Sequence, residues 1–448
     1  MKKALIGFFS IFFLLIGMSC GGDDNRDNDE PRLPEDDPTE IPGSSVSGVV
    51  KVVSQSIEQD AVIDSENTQS LILTYSGKIA ISKPEQITVN DRVVVDAAVD
   101  GNVLTIPLSL EPAISYTVVV KSDALSADGN NTVKPFSLSF RTRAVVNLSL
   151  VSKHLCNADA NEETVELYEY MLSVYGNRII SGVIEDEVNG NSSSDAVFLA
   201  VSQRPLIACY DFRQIHTTDY SDISAIKEHY GYGGIVAFAW EWFTPSQEND
   251  IPENYSSDSG FSVQRAVING TWESKFIEDD IELVAQYLQM LQEEGISVLF
   301  CPVCTAQGHW WGQSGAPYFK CLWELIYDRL VVRYKLNNLI WVWSVDVSAS
   351  SGESIYEWYP GDKFVDVIGI KADSSGSMID KFLLLNETFG GKKMLAVTEC
   401  GDIPEPDACV TDGSTWAFFI AENSDNDDIA IRWNRLMSNE YVVTCESK

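Results

Sequence analysis

From about Lys153 to the end of the chain, apolar runs and amphipathic stretches alternate in a fixed rhythm. The runs are Ile179–Ile184, Leu206–Phe212, Ile235–Trp242, Val298–Cys304, Leu339–Val345, Val365–Ile370, Met394–Cys400 and Trp416–Ile420. They are nearly continuous in apolar residues, as strands must be when both faces are covered. Between them lie helix-period segments. The clearest is Asp279–Glu294, with Ile281, Val284, Leu288 and Leu291 on one face. Eight strand–helix units over residues 153–448 predict an α/β domain, a closed (β/α)8 or TIM barrel. In that architecture functional side chains sit at the C-terminal ends of the strands.

A different pattern precedes it. Residues 46–145 read as all-β, with short runs at Val49–Val53, Leu71–Tyr75, Ile87–Val95, Val103–Leu108, Tyr116–Val120 and Phe136–Phe140 separated by turn residues. This spacing predicts a β-sandwich. The pairing of Tyr116-Thr-Val-Val-Val-Lys with Phe136-Ser-Leu-Ser-Phe-Arg-Thr resembles the end of a bacterial Ig-like domain. No exposed aromatic platform is evident in this segment, which reads as a spacer.

The start of the chain is a targeting segment. Lys2 and Lys3 precede an apolar run from Ala4 to Met18, too short to span a bilayer. Gly17-Met18-Ser19-Cys20 resembles a lipobox, which makes residues 1–20 a lipoprotein signal peptide and Cys20 the lipidated residue. Residues 21–45 are rich in Asp, Glu, Pro and Asn without apolar periodicity, as in a disordered acidic tether. Together these imply a protein anchored to the outer membrane through its lipid and exposed at the cell surface. The formal charge of −35 repels nucleic acid but not a neutral glycan. Eight further cysteines remain. Cys301 and Cys304 form a C-x-x-C with no second ligand pair at metal spacing, so neither a metal nor a cofactor is expected.

Residues 301–312 read C-P-V-C-T-A-Q-G-H-W-W-G. They resemble the R-P-x-H-E-x-x-G-x-W-x-W-W-G segment of glycoside hydrolase family 26, a group dominated by endo-β-mannanases. Pro302, Gln307, Gly308, Trp310, Trp311 and Gly312 keep the frame, while Cys301, Cys304 and Thr305 replace its Arg, His and Glu. Further likeness lies at Gly234–Trp242, Asn338–Ser344, Tyr359–Gly369 and Leu395–Glu399, so that the resemblance covers residues 160–445. It implies that Glu399 holds the nucleophile position and that Thr305 holds the acid/base position with the acid lost. Glu241 stands where the family has a sugar-contacting His. Lys371 falls in the altered Gly369-Ile-Lys371-Ala-Asp373 motif, where it is placed to pair with Glu399 or Glu241.

Trp240, Trp242, Trp310, Trp311, Trp341 and Trp343 all lie near strand ends. Trp240, Trp310, Trp311 and Trp343 are expected to offer sugar-stacking surface, with Glu241, Gln307, Lys371 and Glu399 as polar contacts. Three functions stand open on these residues. The first is a surface protein capturing β-mannan-type polysaccharide beside other glycan-uptake proteins. The second is an active endo-β-1,4-mannanase or related retaining glycanase with a relocated acid. The third is a non-catalytic scaffold for protein partners.

Overall fold

The structure is a computed structural model. It describes residues 48–448 except 130, 186–191, 348–351, 373–375 and 423–428. The signal segment, Cys20, the tether and Asp373 lie outside the described residues.

Residues 49–142 form two principal sheets around one core. A four-stranded sheet orders Val52–Gln55, Ser70–Tyr75, Val103–Pro107 and Ala98–Asp100. A five-stranded sheet orders Val62–Ile63, Phe136–Thr142, Ser115–Val120, Ile87–Val89 and Arg92–Val93. Alternate residues point inward, as a two-residue side-chain period requires. Leu71, Leu73 and Tyr75 meet Tyr116, Val118 and Val120 in the same buried cluster. This arrangement is compatible with an Ig-like sandwich. The run Ile87–Val95 is not one strand. Asn90 and Asp91 both take left-handed backbone (φ 47° and 61°) and fold it into a hairpin. Asn and Asp tolerate that conformation better than most residues. The sandwich meets the next domain where the Ala144 N–H donates to the Asp412 carbonyl at 2.7 Å and Arg141 pairs with the Asp412 carboxylate.

The second domain is a closed barrel of eight parallel strands in sequence order. They are β1 (Gly182–Ile184), β2 (Ile207–Asp211), β3 (Ile235–Trp240), β4 (Val298–Pro302), β5 (Leu339–Val345), β6 (Val367–Ala372), β7 (Met394–Cys400) and β8 (Phe419–Ala421). All residues of β4 and β5 are buried, which is why these runs carry no polar alternation. The first apolar run divides at Ser181. Ile179–Ile180 pairs with Val442–Val443 near the C-terminus, and only Gly182–Ile184 joins the barrel.

The long helix Trp272–Glu293 shows how the outer layer is specified. The Thr271 hydroxyl accepts from the Ser274 N–H and caps its start. Ile277, Ile281, Val284, Leu288 and Leu291 are buried along one stripe. Each such side chain contributes about 1.5–3 kcal/mol relative to exposure.

Candidate functional site

A cavity of about 310 Å³ opens at the C-terminal ends of the barrel strands. Every strand but β1 and β6 brings a chemically active group to its wall or rim. Asp211 and Arg213 come from β2 and the turn after it, Glu241 follows β3, and Cys301, Cys304 and Thr305 come from the β4 end. Ser344 projects from β5, Thr398 and Glu399 from β7, and Glu422 follows β8. Parity along the strands selects them. Ala239 and Glu241 line the cavity while Trp240 and Trp242 do not, and Val342 and Ser344 line it while Trp341 and Trp343 do not.

Two cation–carboxylate pairs organise this mouth. The Arg213 guanidinium lies 2.8 Å from Glu241 and 3.0 Å from Asp211. Asp211 also accepts from the Glu241 backbone N–H at 3.1 Å, tying β2 to β3. Burial pushes the Glu241 carboxyl above its ordinary value. Asp211 adds to the rise and Arg213 opposes it without cancelling it. On the other side, the Lys371 ammonium donates to Glu399. A bulge brings these two together. Ile370 pairs with Val397, but Lys371 pairs with Glu399, so one residue of β7 is left over. Burial pulls Lys371 down, and its contacts with Glu399 and Glu241 more than offset this, leaving the ammonium above its usual range.

The β4 end is held by the residues that made its sequence recognisable. The Trp311 indole N–H reaches the carbonyls of Thr305 at 2.9 Å and Cys304 at 3.2 Å, and the Trp310 indole N–H donates to the Trp242 carbonyl at 2.8 Å. A side chain at Gly312 would place its Cβ 1.8 Å from the Ala306 carbonyl oxygen, so the loop closes only around glycine. Val303 (φ 45°) and Thr305 (φ 26°) both adopt left-handed backbone, costly for β-branched residues. Thr305 is buried.

The expected stacking surface is therefore corrected. Trp240, Trp310 and Trp311 are 0% exposed and Trp343 is 1% exposed. Trp240 stacks on Trp242 with centroids 3.9 Å apart, and Trp343 packs outward on Tyr359 and Phe389 at 5.3 and 6.0 Å. None of the four offers a face to a sugar. Gln307 is exposed but lies outside the cavity lining.

Partly exposed rings stand nearby instead. Phe243 stacks on Tyr255 at 5.3 Å, Tyr255 meets His309 at 5.3 Å, and His309 lies flat on Trp311 at 4.4 Å. The loop carrying Tyr255 is laced to the β4 loop by Trp310 N–H to Tyr255 carbonyl at 3.1 Å and Ser257 N–H to Gly308 carbonyl at 2.9 Å. His309 lies within electrostatic reach of Lys371 and Glu399. Sequence reasoning missed these rings, together with Asp211, Arg213 and Glu422. For Asp211 and Glu422 the available signal was a charge directly after an apolar run, at the strand end where a barrel puts its site. Among the described residues no group of three His, Cys, Asp or Glu could hold a metal ion.

Comparison with known proteins matches residues 156–445 to the family model described as glycosyl hydrolase family 26. A mannan endo-1,4-beta-mannosidase of Thermothelomyces thermophilus is 29% identical over 320 residues, covering 66% of this chain and 63% of that protein. Mannan endo-1,4-beta-mannosidase B of a Piromyces species is 28% identical over 294 residues, 62% of this chain and 49% of that protein. The chain thus spans less than two thirds of either relative. Among solved structures, a β-mannanase from a symbiotic protist of the termite Reticulitermes speratus, complexed with gluco-manno-oligosaccharide, is 30% identical. It aligns with a TM-score of 0.59 over 66% of this chain and 98% of that one. The family 26 domain of an endo-beta-mannanase/endo-beta-glucanase from Prevotella bryantii is 26% identical, with a TM-score of 0.60 over 66% and 99% of the two chains.

Proposed function

This chain belongs to glycosyl hydrolase family 26, and from that premise we propose that it captures β-mannan-type polysaccharide without cleaving it. One observation carries the reading. The β4 end presents Thr305 and two thiols where a retaining glycosidase needs a carboxylic acid. Such an enzyme uses two carboxyls about 5–5.5 Å apart, one to attack and one to protonate the leaving oxygen. A threonine hydroxyl cannot supply that proton near neutral pH. Glu399, in the nucleophile position, is meanwhile occupied by Lys371. What the mouth retains suits binding. Partly exposed Phe243, Tyr255 and His309 offer apolar ring faces, and the charged groups around the cavity offer donors and acceptors for sugar hydroxyls. The lipobox at Cys20 and the acidic tether support a place on the outer surface of the cell, where captured polysaccharide would pass to partner enzymes and an importer.

One observation favours the runner-up, an active retaining glycanase. Glu241 lines the same cavity as Glu399, and burial raises its carboxyl toward the range of a proton donor. Electrophoresis through gels containing mannan, run beside a reducing-sugar assay, separates the two. Retardation in the gel with no sugar release is expected. Reducing ends released by the protein and abolished by Glu399→Gln would establish the enzyme instead. Loss of surface display in Cys20→Ala cells, read by protease shaving, tests the anchor.

A further inference from the structure

The wall of the cavity at the β4 end carries a feature that neither glycan capture nor glycan hydrolysis uses. The sulfurs of Cys301 and Cys304 lie 2.8 Å apart. Both thiols line the cavity, and Cys304 is only half buried. We propose that Cys301 and Cys304 are a modification site, a dithiol that closes to a disulfide across the floor of the barrel mouth.

The geometry is nearly that of the product. A disulfide bond is about 2.05 Å long, so closure needs the sulfurs to approach by about 0.75 Å. The two residues belong to one C-x-x-C turn, whose backbone is already bent by the left-handed Val303 between them. Two-coordinate binding of a thiophilic cation fits worse, because it needs the sulfurs held apart on either side of the ion. No third ligand is grouped with them among the described residues. A third thiol, Cys209 on β2, also lines the cavity. It is buried against its own strand, with its sulfur 3.7 Å from the Tyr210 carbonyl. It therefore serves as an internal control.

The chemistry balances through thiol–disulfide exchange. A disulfide-bearing oxidant, small-molecule or protein, accepts attack by one thiolate. The mixed disulfide forms and one oxidant sulfur leaves as a thiol. The second cysteine then attacks the protein sulfur, the intramolecular bond forms and the second oxidant sulfur leaves. Two thiols lose two protons and two electrons, and one oxidant disulfide becomes two thiols. The hydrogen bond with the adjoining Cys301 thiol, and then burial, hold the Cys304 thiol well above its ordinary range, so closure is slow near neutral pH and faster in mild alkali. Closure would remove two S–H groups from the cavity wall and fix the segment that leads into Thr305.

The test uses the full chain, purified under reductant, then incubated with oxidised glutathione at about pH 8.5, where the thiolate fraction is larger. The protein is denatured in alkylating agent and mapped by peptide mass. The expected result is joint loss of alkylation at Cys301 and Cys304, with the peptide lighter by two hydrogens (about 2 Da), while Cys209 stays fully alkylated. Dithiothreitol should restore both alkylations. Three results overturn the proposal: both cysteines still alkylated, a stable glutathione adduct on Cys304, or a bond from Cys209 to either partner. In Cys301→Ser the expected product is the glutathione adduct on Cys304. Should that variant not fold, the wild-type peptide map decides alone.

Discussion

The ends of β4 and β7 both line the cavity at the barrel mouth and differ in what they bring to it. At β4 the packing residues of the family segment are present, and the lining carries two thiols and a hydroxyl but no carboxylate. Trp310, Trp311 and Gly312 still brace the loop through indole hydrogen bonds and a contact that admits no side chain. The position they brace holds Thr305. At β7 a carboxylate, Glu399, stands at the strand end, and a bulge in β7 sets Lys371 against it. Residues that stabilise the loop stay because removing them costs folding energy whatever the site does. Residues that would only meet substrate carry no such cost. A segment can therefore be recognisable from its packing residues alone, whatever its lining does.

This contrast can be broken most directly at the β4 brace. Trp311→Ala removes a fully buried ring and is expected to destabilise the barrel by about 3–5 kcal/mol, read as a lower urea midpoint. An unmoved midpoint with weaker glycan retention would return Trp311 to the binding surface. The next effect is at the partly exposed rings. Tyr255→Ala should weaken retention in mannan gels roughly tenfold, about 1.4 kcal/mol, with little change in the urea midpoint. Unchanged migration would place binding elsewhere on the molecule.

Smaller effects sharpen the β7 side. Lys371 is 43% exposed at its side chain, so solvent screening limits its pairing with Glu399. Lys371→Met should cost less than about 1 kcal/mol and release no reducing sugar. Hydrolysis that appears in this variant and vanishes when Glu399→Gln is added would mean that β7 is masked rather than retired. Glu241 gives a pH signature. Its folded pKa lies above the ordinary glutamate value, near 4.3. The folded state then holds more protons than the unfolded chain in the window just above that value. The stability Glu241 contributes is full below about pH 4.3 and is lost as pH rises through the folded pKa. The advantage of wild type over Glu241→Gln in urea titrations should accordingly shrink from pH 4 toward neutrality. An advantage that grows instead would mean the attraction of Arg213 outweighs burial. Smallest of all is Thr305→Glu. It should restore no hydrolysis, because Cys301, Cys304, Glu241 and Lys371 also depart from the pattern the family resemblance implies.

The barrel was legible in the sequence because burial on both strand faces writes itself as uninterrupted apolar runs, and each of the eight runs contributed a barrel strand, the first only through Gly182–Ile184. Glu399 was legible for the same reason, as an ionisable residue ending such a run. The tryptophans were not. Trp240, Trp343 and Ser344 sit on runs whose two faces are both apolar, so the pattern cannot say which parity faces the axis. Closure of the barrel decided that and turned the tryptophans outward or into the wall. Nor could the sequence choose between Glu399 and Glu241 as partner for Lys371. The choice was made by one bulge between Ile370 and Lys371, a register shift that only the paired neighbouring strand defines. Composition and periodicity fixed what is buried. Which buried or half-buried groups meet was decided by contacts between strands far apart in the chain, where register and closure set every distance.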